Sequence, residues 1–196
     1  MPHKILLNGE EHKINKDDLP CLVVYPEKSG GSQLSISLVA DLFLRGEKIL
    51  FITAFPAGKD NFIEQTKDKE EKISYVTDAA GLDPEAQAIV LESGNEKLLL
   101  DALDKLDDVD ERIIFIKNIE TFNDEVFDRC LKKKNIILSG DLDKCSAKNQ
   151  IAKTKYKTII AFSKPAIPLP ITLPALEKFI GYLRSEDKEG FIKVAM

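Results

Sequence analysis

The stretch CLVVYPEKSGGSQLSISLVADLFLRGEKILFIT, residues 21–53, decides how this chain folds. Its first five residues, CLVVY, are apolar and β-branched at the centre, the composition of a strand covered on both faces. After Pro26, residues 27–32 (EKSGGS) read as a polar, glycine-bearing loop. From 33 to 45, Leu34, Leu38 and Leu42 recur at i, i+4 and i+8 with Val39 and Phe43 on the same stripe, which predicts a helix. Gly46 is a natural stop for it. Residues 48–53, KILFIT, supply a second buried strand. Strand, glycine loop, helix and strand make a βαβ unit, whose crossover is expected to be right-handed.

Residues 4–7 and 11–14 flank Asn8-Gly9, the pair best suited to a type I′ turn, so the N-terminus reads as a hairpin. Residues 59–72 are highly charged, with Phe62 and Ile63 as the main apolar residues, and predict an exposed helix. Short strands are expected at 73–76 and 88–91. A helix at 96–107 buries Leu99, Leu103 and Leu106 and leaves Asp101, Asp104 and Asp108 outside. RIIFIK at 112–117 is a third core strand, and a helix at 123–133 follows with Val126, Phe127, Cys130 and Leu131 on its apolar side. Residues 135–139 and 158–162 are the fourth and fifth core strands. Pro165, Pro168, Pro170 and Pro174 then break the pattern, ahead of a short helix at 174–183 and an edge strand at 191–194. The expected architecture is a single α/β domain, a three-layer sandwich around a mostly parallel sheet. Within it, residues 1–18 are the hairpin, 19–164 the core, and 165–196 the C-terminal helix and edge strand.

Composition narrows the chemistry. The 196 residues are 43% hydrophobic and 31% charged, enough apolar side chain for one core and too much for a disordered chain. With 28 basic and 33 acidic residues the net charge is −5, which argues against a wholesale polyanion binder. Three cysteines, Cys21, Cys130 and Cys145, are too scattered for a disulfide scaffold or a paired-thiolate zinc site. The two histidines, His3 and His12, lie far from other candidate ligands, which excludes zinc catalysis and a histidine-based triad. No apolar run reaches roughly the 18 residues of a membrane span, and MPHKILLNGEEHK lacks a signal-peptide core. The expectation is a soluble cytoplasmic protein with reduced thiols.

These elements resemble a RecA-type P-loop NTPase, close to the KaiC-like branch, over roughly residues 22–194. In that resemblance residues 22–25 are the P-loop strand, and PEKSGGSQLS at 26–35 is the phosphate-binding turn entering its helix. KILFIT with Ala54-Phe55 is the second strand, and ERIIFIKNIETF at 111–122 the Walker B strand. NIILSGD at 135–141 is the neighbouring inserted strand of this class. KTIIAFS and LEKFIGYLRSEDKEGFIKV resemble the closing strands. The resemblance implies a nucleotide, ATP or a relative of it, as ligand.

The departures from the family pattern matter more. The consensus G-x-x-x-x-G-K-[ST] is read here as P-E-K-S-G-G-S-Q, with Ser32 in place of the lysine and Gln33 in place of the magnesium-binding hydroxyl. Lys28 is the one cation inside the turn. Lys117-Asn118 stands where the family carries its metal-binding carboxylate, and a lysine repels a metal ion. Ala54-Phe55 replaces the KaiC-like catalytic glutamate, and Glu120 is displaced from the usual position. Phosphoryl transfer depends on positioning and charge stabilisation, so losing all three contributors implies a non-hydrolysing relative acting as an assembly or regulatory subunit. Weak nucleotide or anion binding is expected at Lys28, Ser29, Gly30, Gly31, Ser32 and Gln33, where free amides favour phosphate without side-chain charge. The plainer reading of Gly30-Gly31 is a tight strand-to-helix turn. The alternative function is an active ATPase of divergent chemistry, with Lys28 or a partner's residue supplying the missing charge.

A lysine run forms the second feature. Lys144, Lys148, Lys153, Lys155, Lys157 and Lys164 surround Tyr156, and no acid occurs between Cys145 and Lys164. Read as a nucleic-acid-binding loop, Lys148, Lys153, Lys155 and Lys157 would neutralise phosphates while Tyr156 stacks on a base. The plainer reading is a solvated surface. A further reading pairs this basic stretch with the acidic one formed by Asp101, Asp104, Asp107, Asp108, Asp110 and Glu111 on a different face. That arrangement suits head-to-tail association with like or unlike RecA-type subunits. Cys130 is read as core and Cys145 as a loop thiol. Asp141 and Asp143, after the fourth strand, are either turn caps or cation ligands.

Overall fold

A computed structural model describes residues 5–7, 10–12, 14–26, 31–92, 96–161, 179–184 and 190–194. The N-terminal hairpin pairs β1 (Ile5–Leu7) with β2 (Glu10–His12) in a separate two-stranded sheet, with Leu7 opposite Glu10. The main sheet is built from β3 (Cys21–Val24), β4 (Ile49–Thr53), β5 (Ile73–Val76), β6 (Ala88–Glu92), β7 (Ile113–Lys117), β8 (Ile136–Gly140) and β9 (Thr158–Ala161). To these are added β10 (Phe179–Arg184) and β11 (Gly190–Val194). The order across it is β11-β10-β9-β3-β8-β7-β4-β6-β5. Every neighbouring pair from β10 to β5 is parallel, and only β11 runs antiparallel.

Parallel strands need crossovers, and the crossovers coat both faces of the sheet. The helices are α1 (Gly31–Leu44), α2 (Pro56–Thr66), α3 (Glu96–Lys105), α4 (Asp124–Cys130) and α5 (Lys148–Lys153). Side chains alternate along each strand, so one strand feeds two cores. Val23, Phe51 and Phe115 pack under α1 and α2, whereas Leu22, Ile52 and Ile116 pack under α3, α4 and α5. This is a three-layer α/β sandwich, as the hydrophobic pattern predicts.

Several local expectations are corrected. The charged helix begins at Pro56, three residues early, because proline is suited to the first helical position. It ends at Thr66, and residues Lys67–Lys72 tighten into 3-10 turns. Its Phe62 is wholly buried, with its ring centroid 5.7 Å from that of Phe43 and 5.2 Å from that of Phe51. The helix expected at 174–183 is a strand over Phe179–Arg184, and residues 174–178 lie outside the described ones. FIGYLR is rich in aromatic and β-branched residues, and as a strand it pairs with the edge of β9 that would otherwise stay open. The final strand at 190–194 forms the sheet edge as expected.

All three cysteines are buried. Cys21 belongs to the core under α1 and α2, and Cys130 and Cys145 to the opposite core. Burial pushes the Cys130 thiol up to about 12 and that of Cys145 up to about 11. Among the described residues no helix is long and apolar enough to cross a membrane.

Candidate functional site at the carboxyl end of the sheet

Open parallel sheets bind ligands beyond the carboxyl ends of their strands. At that end one row of side chains facing α1 and α2 turns polar. Lys117 on β7 pairs in register with Ser139 on β8, and Thr53 on β4 pairs with Glu92 on β6. Thr53 lies one step beyond the Ile52–Ile116 pair, which places it beside Lys117. Two residues lower, the same row is Ile137, Phe115, Phe51 and Val90, wholly apolar.

Three of the four polar residues are matched by the helices or loops above them. Ser139 Oγ donates to Ser35 Oγ of α1 at 3.3 Å. Thr53 Oγ1 donates to the Phe55 carbonyl at 3.1 Å and accepts from the Phe55 amide at 3.3 Å. Glu92 accepts from Lys59 Nζ of α2 at 2.9 Å, and that ammonium also lies 5.4 Å from the Tyr75 ring centroid. Lys117 differs. It is 4% exposed, and its ammonium donates to Asn118 Oδ1 at 2.8 Å. Burial holds its pKa below the ordinary lysine value, against the opposing pull of Glu120.

The loop after β7 explains why Glu120 stays apart. Asn118 takes a left-handed conformation, φ 62°, and its Nδ2 donates to Glu120 Oε1 at 3.4 Å. The other oxygen, Oε2, accepts from the Asp141 amide at 3.0 Å, so Glu120 ties the β7 loop to the β8 loop. Gly140 makes this approach workable: its φ is +154°, and a Cβ there would fall 2.4 Å from Glu120 Oε2 and 2.8 Å from the Ile119 amide nitrogen. Asp141 itself lies 3.6 Å from Lys144 Nζ.

Of the expected phosphate-binding turn, Lys28, Ser29 and Gly30 lie outside the described residues. Gly31, Ser32 and Gln33 form the first turn of α1, where amides have no intrahelical acceptor. Gly31 has a packing reason for being glycine, since a Cβ there would fall 2.3 Å from Tyr25 Cβ. Ser35, displaced along the helix, donates to the Ser32 carbonyl at 2.8 Å. Burial pushes the Tyr25 hydroxyl up to about 12. No acidic residue occupies the first turn of α1 or of α2. Among the described residues no group of three or more His, Cys, Asp and Glu side chains is arranged to hold a metal ion.

The lysine run departs from its loop reading. Lys148 and Lys153 bound helix α5, and Lys148 Nζ donates to the Asp143 carbonyl at 3.4 Å. Lys153 and Lys155 are exposed, and Lys157 Nζ donates to the Asp17 carbonyl at 3.1 Å. Tyr156 is only 4% exposed, and its hydroxyl donates to the Ile151 carbonyl at 3.0 Å. A ring packed into the core offers no face for a base to stack on, so Tyr156 leaves the set of candidate nucleic-acid contacts.

Half of the acidic stretch is paired within the chain. Asp104 pairs with Arg129, Asp110 with Lys133 at 2.5 Å, and Asp108 with Lys48 at 2.8 Å and Arg112 at 2.7 Å. Residues 107–111 lead into β7, and residues 153–157 lead into β9. Both therefore open at the amino-terminal end of the parallel sheet, not on different faces. Sequence reasoning missed Arg112, which is wholly buried and donates through Nη1 to the Ala86 carbonyl and through Nη2 to the Pro84 carbonyl. Its available signal was Asp108, four residues earlier.

Fold and row together define an α/β sandwich with a polar carboxyl end. Compared with known proteins, the chain matches no family model, no curated protein and no solved structure.

Proposed function

We propose that this chain is a catalytically degenerate RecA/KaiC-like P-loop domain that serves as an assembly or regulatory subunit and binds nucleotide or another anion weakly. The observation that carries this reading is Lys117, a buried cation at the end of β7 where a hydrolase of that class needs a carboxylate for its metal. Two further features support it. Strand β8 lies between β3 and β7, the arrangement the sequence resemblance implies. The turn after β4 carries Ala54 and the exposed Phe55, neither of which can act as a general base. A site lacking phosphate-binding lysine, metal ligand and base has no contributor left for phosphoryl transfer.

Calorimetric titration with ATP, with and without magnesium, together with a phosphate-release assay, tests this. Weak binding that does not depend on magnesium, with no turnover, is the expected result. Tight magnesium-dependent binding with turnover overturns it in favour of a divergent ATPase.

The assembly role is tested by light scattering. Internal pairing of Asp104, Asp108 and Asp110 leaves less acidic charge for docking, so association depends on other surfaces as well as on salt. A protein that stays monomeric at low salt and high concentration, with or without candidate RecA-like partners, removes the assembly role.

A further inference from the structure

We infer that the Lys117 ammonium is the receptor for an oxyanion, a free phosphate or a phosphoryl group, held at the carboxyl ends of β4 and β7 beside the first turn of α2. This placement rests on the degenerate P-loop reading above but moves the cation from the turn before α1 to the neighbouring strand.

A cation removed from water is costly unless it is paired, and buried lysines are almost always paired. Lys117 is 4% exposed, yet among the described residues no carboxylate lies within ion-pair distance of it, and the hydrogen bond its ammonium makes there goes to an uncharged amide. An ammonium has three donors, so two are left for a ligand. The nearest acid, Glu120, is held off by Asn118 and engaged by the Asp141 amide. Direct pairing with Glu120 is thus blocked by a specific device, the amide interposed between cation and carboxylate.

The surroundings add to the positive potential. The Lys117 stem reaches the first turn of α2, with its Cδ 3.5 Å from where a Cβ on Gly58 would stand. That helix has no side-chain cap and no acid in its first turn, so no residue of its own there offsets its positive end. Glycine at 58 lets the turn settle onto the sheet, because a Cβ would fall 2.4 Å from Thr53 Oγ1. Ser139, Thr53 and Glu92 on the same row are already matched. Lys117 is the member of the row with capacity to spare. A compact oxyanion supplies both the missing charge and the missing acceptors.

The test is lysine side-chain NMR on the whole chain, titrated with inorganic phosphate and, separately, with magnesium-free ATP. The Lys117 ammonium signal should move on saturation with at least one probe, and its titration midpoint should rise. Lys117→Met should weaken that binding by about tenfold or more, with Lys117→Arg retaining part of it. Response to phosphate alone identifies a free oxyanion, and response to ATP alone a nucleotide-borne one. A Lys117 signal unmoved by both probes overturns the assignment without depending on how a variant folds. If ATP still binds in that case, the anion sits at the start of α1 and the degenerate P-loop reading stands. Magnesium-dependent turnover would instead defeat that reading.

Discussion

Arg112 Nε donates to Asp108 Oδ1 across 2.7 Å, and this bond anchors a guanidinium with no exposed surface to the loop ahead of β7. Burial works against ionisation of Asp108, but hydrogen bonds from Arg112 and Lys48 outweigh it and hold the carboxyl below its ordinary range. Removing the carboxylate leaves Arg112 buried without its counter-charge. Asp108→Asn should therefore cost about 3 kcal/mol near neutral pH, read by urea denaturation. The native pKa is the lower one, so the contribution is complete above the ordinary carboxylate value. It fades as pH falls through the native value, and the gap between wild type and Asp108→Asn should close on acidification.

Gly31→Ala tests whether the glycine before α1 serves packing. The added methyl collides with Tyr25, and overpacking of this kind costs about 1–3 kcal/mol. A second substitution, Tyr25→Ala, should recover part of that loss, giving a coupling visible in a double-mutant cycle. Unchanged thermal stability in Gly31→Ala would return the glycine to a ligand role alone.

Lys117→Met should stabilise the unliganded protein by about 1–2 kcal/mol near neutral pH, because a buried cation with no counter-charge in contact among the described residues is replaced by an apolar chain of similar shape. The pH dependence has a definite sign. The folded state holds the lysine proton less tightly than the unfolded chain does, so wild-type stability rises with pH between the native value and 10.5. The advantage of the methionine variant should shrink across that window.

Tyr156→Phe removes the hydroxyl that bonds to the Ile151 carbonyl and should cost about 1 kcal/mol in a thermal melt. Fluorescence anisotropy with single-stranded DNA at low salt should not distinguish this variant from wild type. A loss of DNA binding in Tyr156→Phe, with folding intact, would restore the tyrosine as a nucleic-acid contact.

Strands β3, β4, β6, β7 and β8 were legible in the sequence because each is a short apolar run between breakers, and burial on both faces leaves little else for such runs to do. Helices α1 and α3 were legible from the leucine spacing. Helix α2 was legible in part: its charge hid Phe62, and Pro56 moved its start. The C-terminal strand β10 was not, since ten residues with scattered apolar side chains fit either period until an open edge of β9 decides. Tyr156 was misplaced because lysine-rich flanks say nothing about where the ring between them packs. Lys117 could be read as a departure from a motif. Its isolation could not, since that depends on the register of four strands and on the left-handed turn at Asn118, all long-range or conformational facts.

The sheet separates Cys21 from Cys130 and Cys145, and this gives the chain an internal clock for each of its two sides. Thiols buried inside packed layers, those of Cys130 and Cys145 with raised pKa values as well, react with alkylating reagents only when those layers open. Labelling at Cys21 times the parting of α1 and α2 from the sheet. Labelling at Cys130 and Cys145 times the opposite layer. Mass spectrometry of partly alkylated native protein would therefore report whether an anion at the carboxyl end slows the opening of the α1 and α2 side alone, or tightens both sides together.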